Sequence, residues 1–161
     1  MNMLKYFNIM VVFEEVPDEI SLAINITNCP LKCEGCHSPY LRRDIGTNLT
    51  TKELSRLINM NKGITCVCLM GGDSDHNYVC ELAKHIKETH KGLKVCWYSG
   101  MDDFNLGTEY FDFVKVGHYD ENAGPLNSET TNQRFYRVED GKLVDETHRF
   151  WKKKKDNVTE A

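Results

Sequence analysis

Apolar residues fall in short dense runs along the chain, and the period of those runs changes with position. Residues 8–13 (NIMVVF) and 22–26 (LAINI) read as strands, with Pro17 and Asp18 marking a polar turn between them. From Thr50 the period becomes helical. Leu54, Leu57 and Ile58 share one face of TTKELSRLINM, and Thr50 followed by Glu53 has the spacing of a capping box. Residues 64–70 (ITCVCLM) are apolar almost throughout, as expected of a strand covered on both faces. In NYVCELAKHIKETHK, Val79, Leu82, Ala83 and Ile86 recur at i, i+3, i+4 and i+7, an amphipathic helix with a basic end suited to its dipole. LKVCWYSG and FDFVKVG read as two further strands stopped by glycine. Alternating strand and helix through the middle of the chain predict βα units, right-handed crossovers and a mainly parallel sheet. Asp140-Gly141 between the alternating runs of RFYRVEDGKLVDET predicts a terminal antiparallel hairpin. With no internal repeat or linker visible, residues 1–161 are expected to form one domain.

Composition adds limits. The first residues carry only a short apolar run before Glu14 and Glu15, with no cleavage-site pattern and no membrane-length span, so a cytoplasmic protein without a membrane partner is expected. A net charge of −4 disfavours nucleic acid as a partner. The one basic run, Lys152 to Lys155, reads as a solvated tail. Seven cysteines in a chain with no export signal favour reduced thiols, and with them metal, cofactor or redox chemistry, over a disulfide framework.

Three of those thiols crowd into CPLKCEGCH. Cys29, Cys33 and Cys36 have the spacing C-x3-C-x2-C directly after a predicted strand. Zinc normally takes four ligands, and a fourth is available in principle from His37 or from Cys66, Cys68, Cys80 or Cys96. Cys66 and Cys68 lie at i and i+2 of a buried strand, Cys96 is mid-strand and Cys80 sits on a helix; at such places cysteine behaves as a small hydrophobe. Three thiolates on an iron–sulfur cubane leave one iron without a protein ligand, as a reactive metal site requires.

The C-x3-C-x2-C loop resembles the cluster motif of the radical S-adenosylmethionine (SAM) superfamily. LMGGDSD, ending the next predicted parallel strand, is similar to that superfamily's GGE motif, and TNQRFYRVEDGKL resembles the Asn-Gln-Arg segment of anaerobic ribonucleoside-triphosphate reductase activating proteins. With WYSG in the expected order, the resemblance to this activase family covers nearly the whole chain. It implies an α/β fold, a partial (β/α) barrel of radical SAM type with a C-terminal β-hairpin, shorter than the eight-unit barrel of about 250 residues. It also implies an enzyme. A 4Fe-4S cluster on Cys29, Cys33 and Cys36 passes an electron to SAM, and the resulting 5′-deoxyadenosyl radical takes hydrogen from a backbone glycine of the reductase's catalytic subunit. The implied partners are that subunit and an electron donor such as flavodoxin or ferredoxin. The implied SAM contacts are Gly35, His37, Gly71, Gly72, Asp73, Ser99 and Asn132. In two places the chain departs from the pattern: Gly35 stands where an aromatic residue often precedes the third cysteine, and Asp73 stands where the motif has Glu.

Each of these residues also has a plainer reading. Gly71-Gly72 makes a tight turn, Asp73 caps a helix, and His37 is an exposed loop residue. Asn132, Gln133 and Arg134 form a structural polar turn, while Trp97 and Tyr98 belong to the core. The alternative function is a zinc or iron–sulfur module, binding or passing electrons without SAM chemistry.

Overall fold

The computed structural model describes residues 4–31, 39–104 and 107–151. In chain order its elements are β1 (Lys5–Val12), β2 (Ser21–Ile26), β3 (Thr47–Asn48), α1 (Thr51–Met60), β4 (Cys66–Met70), α2 (His76–Thr89), β5 (Lys94–Tyr98), β6 (Phe113–Val116), β7 (Arg134–Glu139) and β8 (Lys142–Asp145). Short 3-10 turns occupy Pro39–Arg42 and Thr147–Phe150.

All eight strands form one sheet in the order β3-β1-β2-β4-β5-β6-β7-β8. Only the central pairs β2/β4, β4/β5 and β5/β6 are parallel. The flanks, β3/β1, β1/β2, β6/β7 and β7/β8, are antiparallel. The expected partial (β/α) barrel and mainly parallel sheet are therefore wrong. The described residues hold a mixed sheet with two α-helices. The physical reason lies in the connections. The Pro17–Asp18 turn, with Asp18 at φ 70, folds β2 back on β1 as a hairpin. The β5–β6 crossover carries no helix among its described residues; its Phe104 and Phe111 instead pack their rings on Trp97. In β7 and β8 the expected hairpin turn is seen, with Asp140 and Gly141 both at positive φ, 53 and 76.

The two faces of the sheet are covered differently. Leu22, Ile24, Val67, Leu69, Val95, Trp97 and Val114 point to the helices and meet Leu54, Leu57 and Ile58 of α1 and Val79, Leu82, Ala83 and Ile86 of α2. These are the faces that the helical period marked in the sequence. Full burial stabilises each such side chain by about 1.5–3 kcal/mol. On the other face Cys66, Cys68, Cys96 and Phe113 lie under Val16 of the β1–β2 connection and under Phe135 and Phe150.

Helix starts are capped locally. The Thr50 hydroxyl accepts the Glu53 amide at 3.0 Å. The Glu53 carboxylate accepts from the Tyr6 hydroxyl and, at 2.8 and 2.7 Å, from Arg56. Asp75 caps α2 by accepting from the Tyr78 amide at 3.2 Å. No described helix is long and apolar enough to cross a membrane.

Candidate metal centre

The parallel register aligns Asn25, Met70, Tyr98 and Lys115 across β2, β4, β5 and β6, so these strands end at one edge. Just past that edge lie Cys29, then Gly71-Gly72-Asp73, then Ser99-Gly100, then Gly117. Sheets with parallel strands present ligand sites at this edge.

Cys29 is positioned by a clamp on the chain leaving β2. Thr27 donates its amide to the Lys5 carbonyl at 2.8 Å and its hydroxyl to the Ile45 carbonyl at 2.8 Å. Asn28, at φ 63, donates its amide to Arg43 at 3.2 Å and its side-chain amide to Asp44 at 3.1 Å. The Cys29 amide then donates to the Leu41 carbonyl at 2.9 Å, closing the base of the loop between them. Cys29 is half-buried. Cys33, Cys36, Gly35 and His37 lie outside the described residues. Leu31 is described, and it packs so closely on Gly100 that a Cβ there would collide with it. A glycine after β5 thus lets Leu31 lie against the neighbouring strand end.

The glycine pair is shaped by packing. Gly71 and Gly72 have φ of 115 and 98, a region that side chains disfavour. A Cβ on Gly72 would sit 2.5 Å from Val79 Cγ2, and one on Gly71 would sit 3.0 Å from the Ile26 carbonyl oxygen. The Gly71 amide donates to the Tyr98 carbonyl at 2.9 Å, and its carbonyl accepts the Trp97 indole N–H at 2.7 Å. Gly72 therefore faces the core, which the motif alone did not show.

Asp73 has a side chain only 3% exposed. Its carboxylate accepts from the Ser99 hydroxyl at 2.6 Å and the Gly100 amide at 2.8 Å, and its Oδ1 lies 2.9 Å from His76 Nε2. It ties the end of β4 to the end of β5. The cap of α2 is Asp75, so the reading of Asp73 as a helix cap is corrected. Ser99 is 1% exposed, and its hydroxyl, besides donating to Asp73, accepts the Met101 amide at 3.0 Å. Both side chains are used within the fold, as are the amide and carbonyl of Gly71 and the carbonyl of Gly72, which accepts the Asp75 amide at 3.0 Å.

Asn132 is exposed and donates to the His118 carbonyl at 3.0 Å, while buried Gln133 donates to Gly117 at 3.2 Å. These bonds bring the segment to the end of β6, at the same edge as Cys29. Arg134 turns away to pair with Asp145 at 3.4 Å. Trp97 is core. Tyr98 packs with the second cluster and donates its hydroxyl to the Glu15 carbonyl, burial holding its acidity well below that of a free phenol.

The sequence reading missed a cleft of about 830 Å³, lined among others by Phe13, Glu14, Met70, Tyr98, Leu126 and Trp151. Its walls come from five separate stretches of the chain with no common motif. Because Met70 and Tyr98 directly precede Gly71 and Ser99, the cleft adjoins the edge that carries the candidate site.

The remaining cysteines are placed elsewhere. Cys66, Cys68 and Cys96 are fully buried within their strands, and burial pushes the Cys66 and Cys96 thiols above their ordinary range. Cys80 packs beside the helix-side core, and burial raises its pKa too. No described group of three or more His, Cys, Asp or Glu side chains makes a competing metal cage. The donor chemistry of the cysteine loop fits a 4Fe-4S cluster: soft thiolates, the first of them fixed at the sheet edge, while burial opposes ionisation of Cys66, Cys80 and Cys96.

The model of the family described as "4Fe-4S single cluster domain" matches residues 20–138, and the chain belongs to that family. It is an iron–sulfur protein. No curated protein and no solved structure matches it.

Proposed function

We propose that this member of the 4Fe-4S single cluster domain family is a radical SAM enzyme of the cytoplasm that generates a glycyl radical on anaerobic ribonucleoside-triphosphate reductase. The observation that carries the reading is the division of the cysteines. One C-x3-C-x2-C loop leaves the carboxyl edge of the parallel strands, while the four outer cysteines are packed into the core or beside it. Cys29, Cys33 and Cys36 would hold the cluster, with one iron left for SAM. When bound and reduced, such a cluster supplies the electron that cleaves SAM.

The chain's own residues do the positioning. The Gly71 and Gly72 carbonyls each already accept one bond within the fold, and would take the amino end of SAM's methionine on their second lone pairs. Asp73 acts one step back, holding Ser99 and Gly100 so that Leu31 seats against Gly100. The adjoining cleft gives a partner's glycine loop a way in from the side. The partners in this reading are the reductase's catalytic subunit and a flavodoxin or ferredoxin as electron donor.

The test is anaerobic reconstitution followed by reduction with SAM present. The proposal expects 5′-deoxyadenosine and methionine as products, and a glycyl-radical signal when the reductase is added. Tetrahedral zinc in the loop, or a cluster that leaves SAM intact, would sink it in favour of a binding or electron-transfer module. Cleavage of SAM with no radical on the reductase would keep the chemistry and remove the target.

A further inference from the structure

We propose that His85 and His90 at the end of α2, with Ser55 of α1, form a second metal site, one that takes a borderline divalent ion such as Zn²⁺. The three side chains converge on one point between the helices, and all three are half-buried. The Ser55 hydroxyl oxygen lies 2.7 Å from His85 Nε2 and 2.8 Å from His90 Nε2, and the two ring centres are 5.9 Å apart. The two Nε2 atoms are therefore at most about 5.5 Å apart. Small side-chain rotations bring them to the roughly 3.4 Å that separates two nitrogens on a tetrahedral ion with bonds of about 2.0–2.1 Å.

The backbone turns both rings to the same side. α2 ends at Thr89, and His90 caps it at φ −115 and ψ 66, its amide donating to the Ile86 carbonyl at 2.8 Å. Leaving helical geometry at that point sets a ring at i+5 beside one at i, where an uninterrupted helix would align i and i+4. Ser55 follows buried Leu54, which packs in the same core as Leu82 and Ile86 of α2, so its hydroxyl is held at the seam between the helices.

The donor set suits a cation. A serine hydroxyl has one hydrogen, so it serves two imidazoles only when they are opposite tautomers, whereas a metal ion takes both as bare Nε2 atoms. His85 Nδ1 lies 3.4 Å from Thr89 Oγ1, and a proton held on Nδ1 leaves Nε2 bare. His90 makes no described hydrogen bond through Nδ1, so its proton can sit there too. Burial and the neighbouring His85 lower the pKa of His90, which favours the neutral ring that binds metal. The last carbonyls of α2 add partial negative charge at this end of the helix. Imidazole nitrogens select zinc, copper or nickel over magnesium or calcium, and water completes the shell.

This site is separate from the cysteine loop. α2 begins at His76, beside Asp73, and His90 lies about 20 Å farther along it. An ion held there would fasten α1 to α2.

Calorimetric titration of the anaerobically reconstituted full chain with Zn²⁺, paired with nitrogen NMR spectra of its imidazoles, tests the proposal. One equivalent is expected to bind and to shift the Nε2 resonances of His85 and His90, while that of exposed His148 stays in place. His85→Gln and His90→Gln should each weaken binding at least about tenfold, Ser55→Ala should weaken it less, and His148→Gln should leave it unchanged. The resonance shifts are read in wild type, so they decide the outcome even where a variant folds poorly. Zn²⁺ that leaves the His85 and His90 resonances unmoved at millimolar concentration overturns the proposal, as does binding unaltered in both His85→Gln and His90→Gln.

Discussion

The same side chain occupies two unlike regions of this molecule. At the carboxyl edge of the parallel strands, Cys29 is half-buried on a clamped loop, followed in sequence by Cys33 and Cys36. On the sheet face away from the helices, Cys66, Cys68 and Cys96 are sealed among Val16, Phe113 and Phe135. A thiol serves a metal only as thiolate, and burial opposes ionisation. Location therefore decides which cysteines are chemical and which are packing. The comparison can be broken or sharpened in several ways.

The largest effect is expected from exchanging the two regions as mutation targets. Cys29→Ala should abolish the stable cluster altogether, read as loss of the iron–sulfur absorption band after reconstitution. Cys68→Ser should keep that band and instead cost about 1–3 kcal/mol in denaturant unfolding, the price of a buried hydroxyl. Loss of the band in folded Cys68→Ser would reverse the assignment.

Next in size is the turn beside the loop. Gly72→Ala puts a Cβ against Val79 at positive φ, so about 2–4 kcal/mol of destabilisation is expected in urea titrations. An unchanged midpoint would mean that the turn is not held as described. Asp73→Ala strips an acceptor from Ser99 and Gly100 and should cost about 1–3 kcal/mol. Asp73→Asn should lower SAM affinity only as far as it loosens this link, so a large loss of affinity at full stability would show the carboxylate touching the ligand directly.

The smallest effect is on pH dependence. Burial raises the folded-state pKa of Cys66 and Cys96 above the 9.0 of a free thiol. Groups raised in this way contribute stability that is fully present below the unfolded value and declines as pH rises above it. Stability of the apo-protein should fall above pH about 9 by about 1.4 kcal/mol per pH unit for each thiol. Cys96→Ala should remove one thiol's share of the slope. A slope unaltered in that variant would contradict the sealed environment.

Much of this was legible in the sequence, and the reasons for the misses are specific. The apolar faces of α1 and α2, the strands around Cys66 and Cys96 and the Asp140-Gly141 turn all follow from short-range patterns that packing did not override. Pairing direction followed only for the β7–β8 hairpin. Nothing in NIMVVF says antiparallel to β2, nor in RFYRVE antiparallel to β6, and the absence of a helix among the described residues between β5 and β6 goes with Phe104 and Phe111 packing on Trp97. At the candidate site, spacing identified the cysteine loop and the glycine turn as chemistry. It did not reveal that Asp73 is spent on Ser99 and Gly100, because those partners lie 26 and 27 residues away. The cleft was invisible for the same reason.

The central claim is that the loop's three thiolates hold a 4Fe-4S cluster whose remaining iron belongs to SAM. Its most direct measurement is electron–nuclear double resonance on the reduced, reconstituted protein, with SAM labelled at the methionine amino nitrogen and carboxylate oxygen. The account predicts hyperfine coupling of both labels to the cluster, retained in Cys68→Ser and Cys96→Ala. A cluster spectrum with no coupling to either label would contradict it.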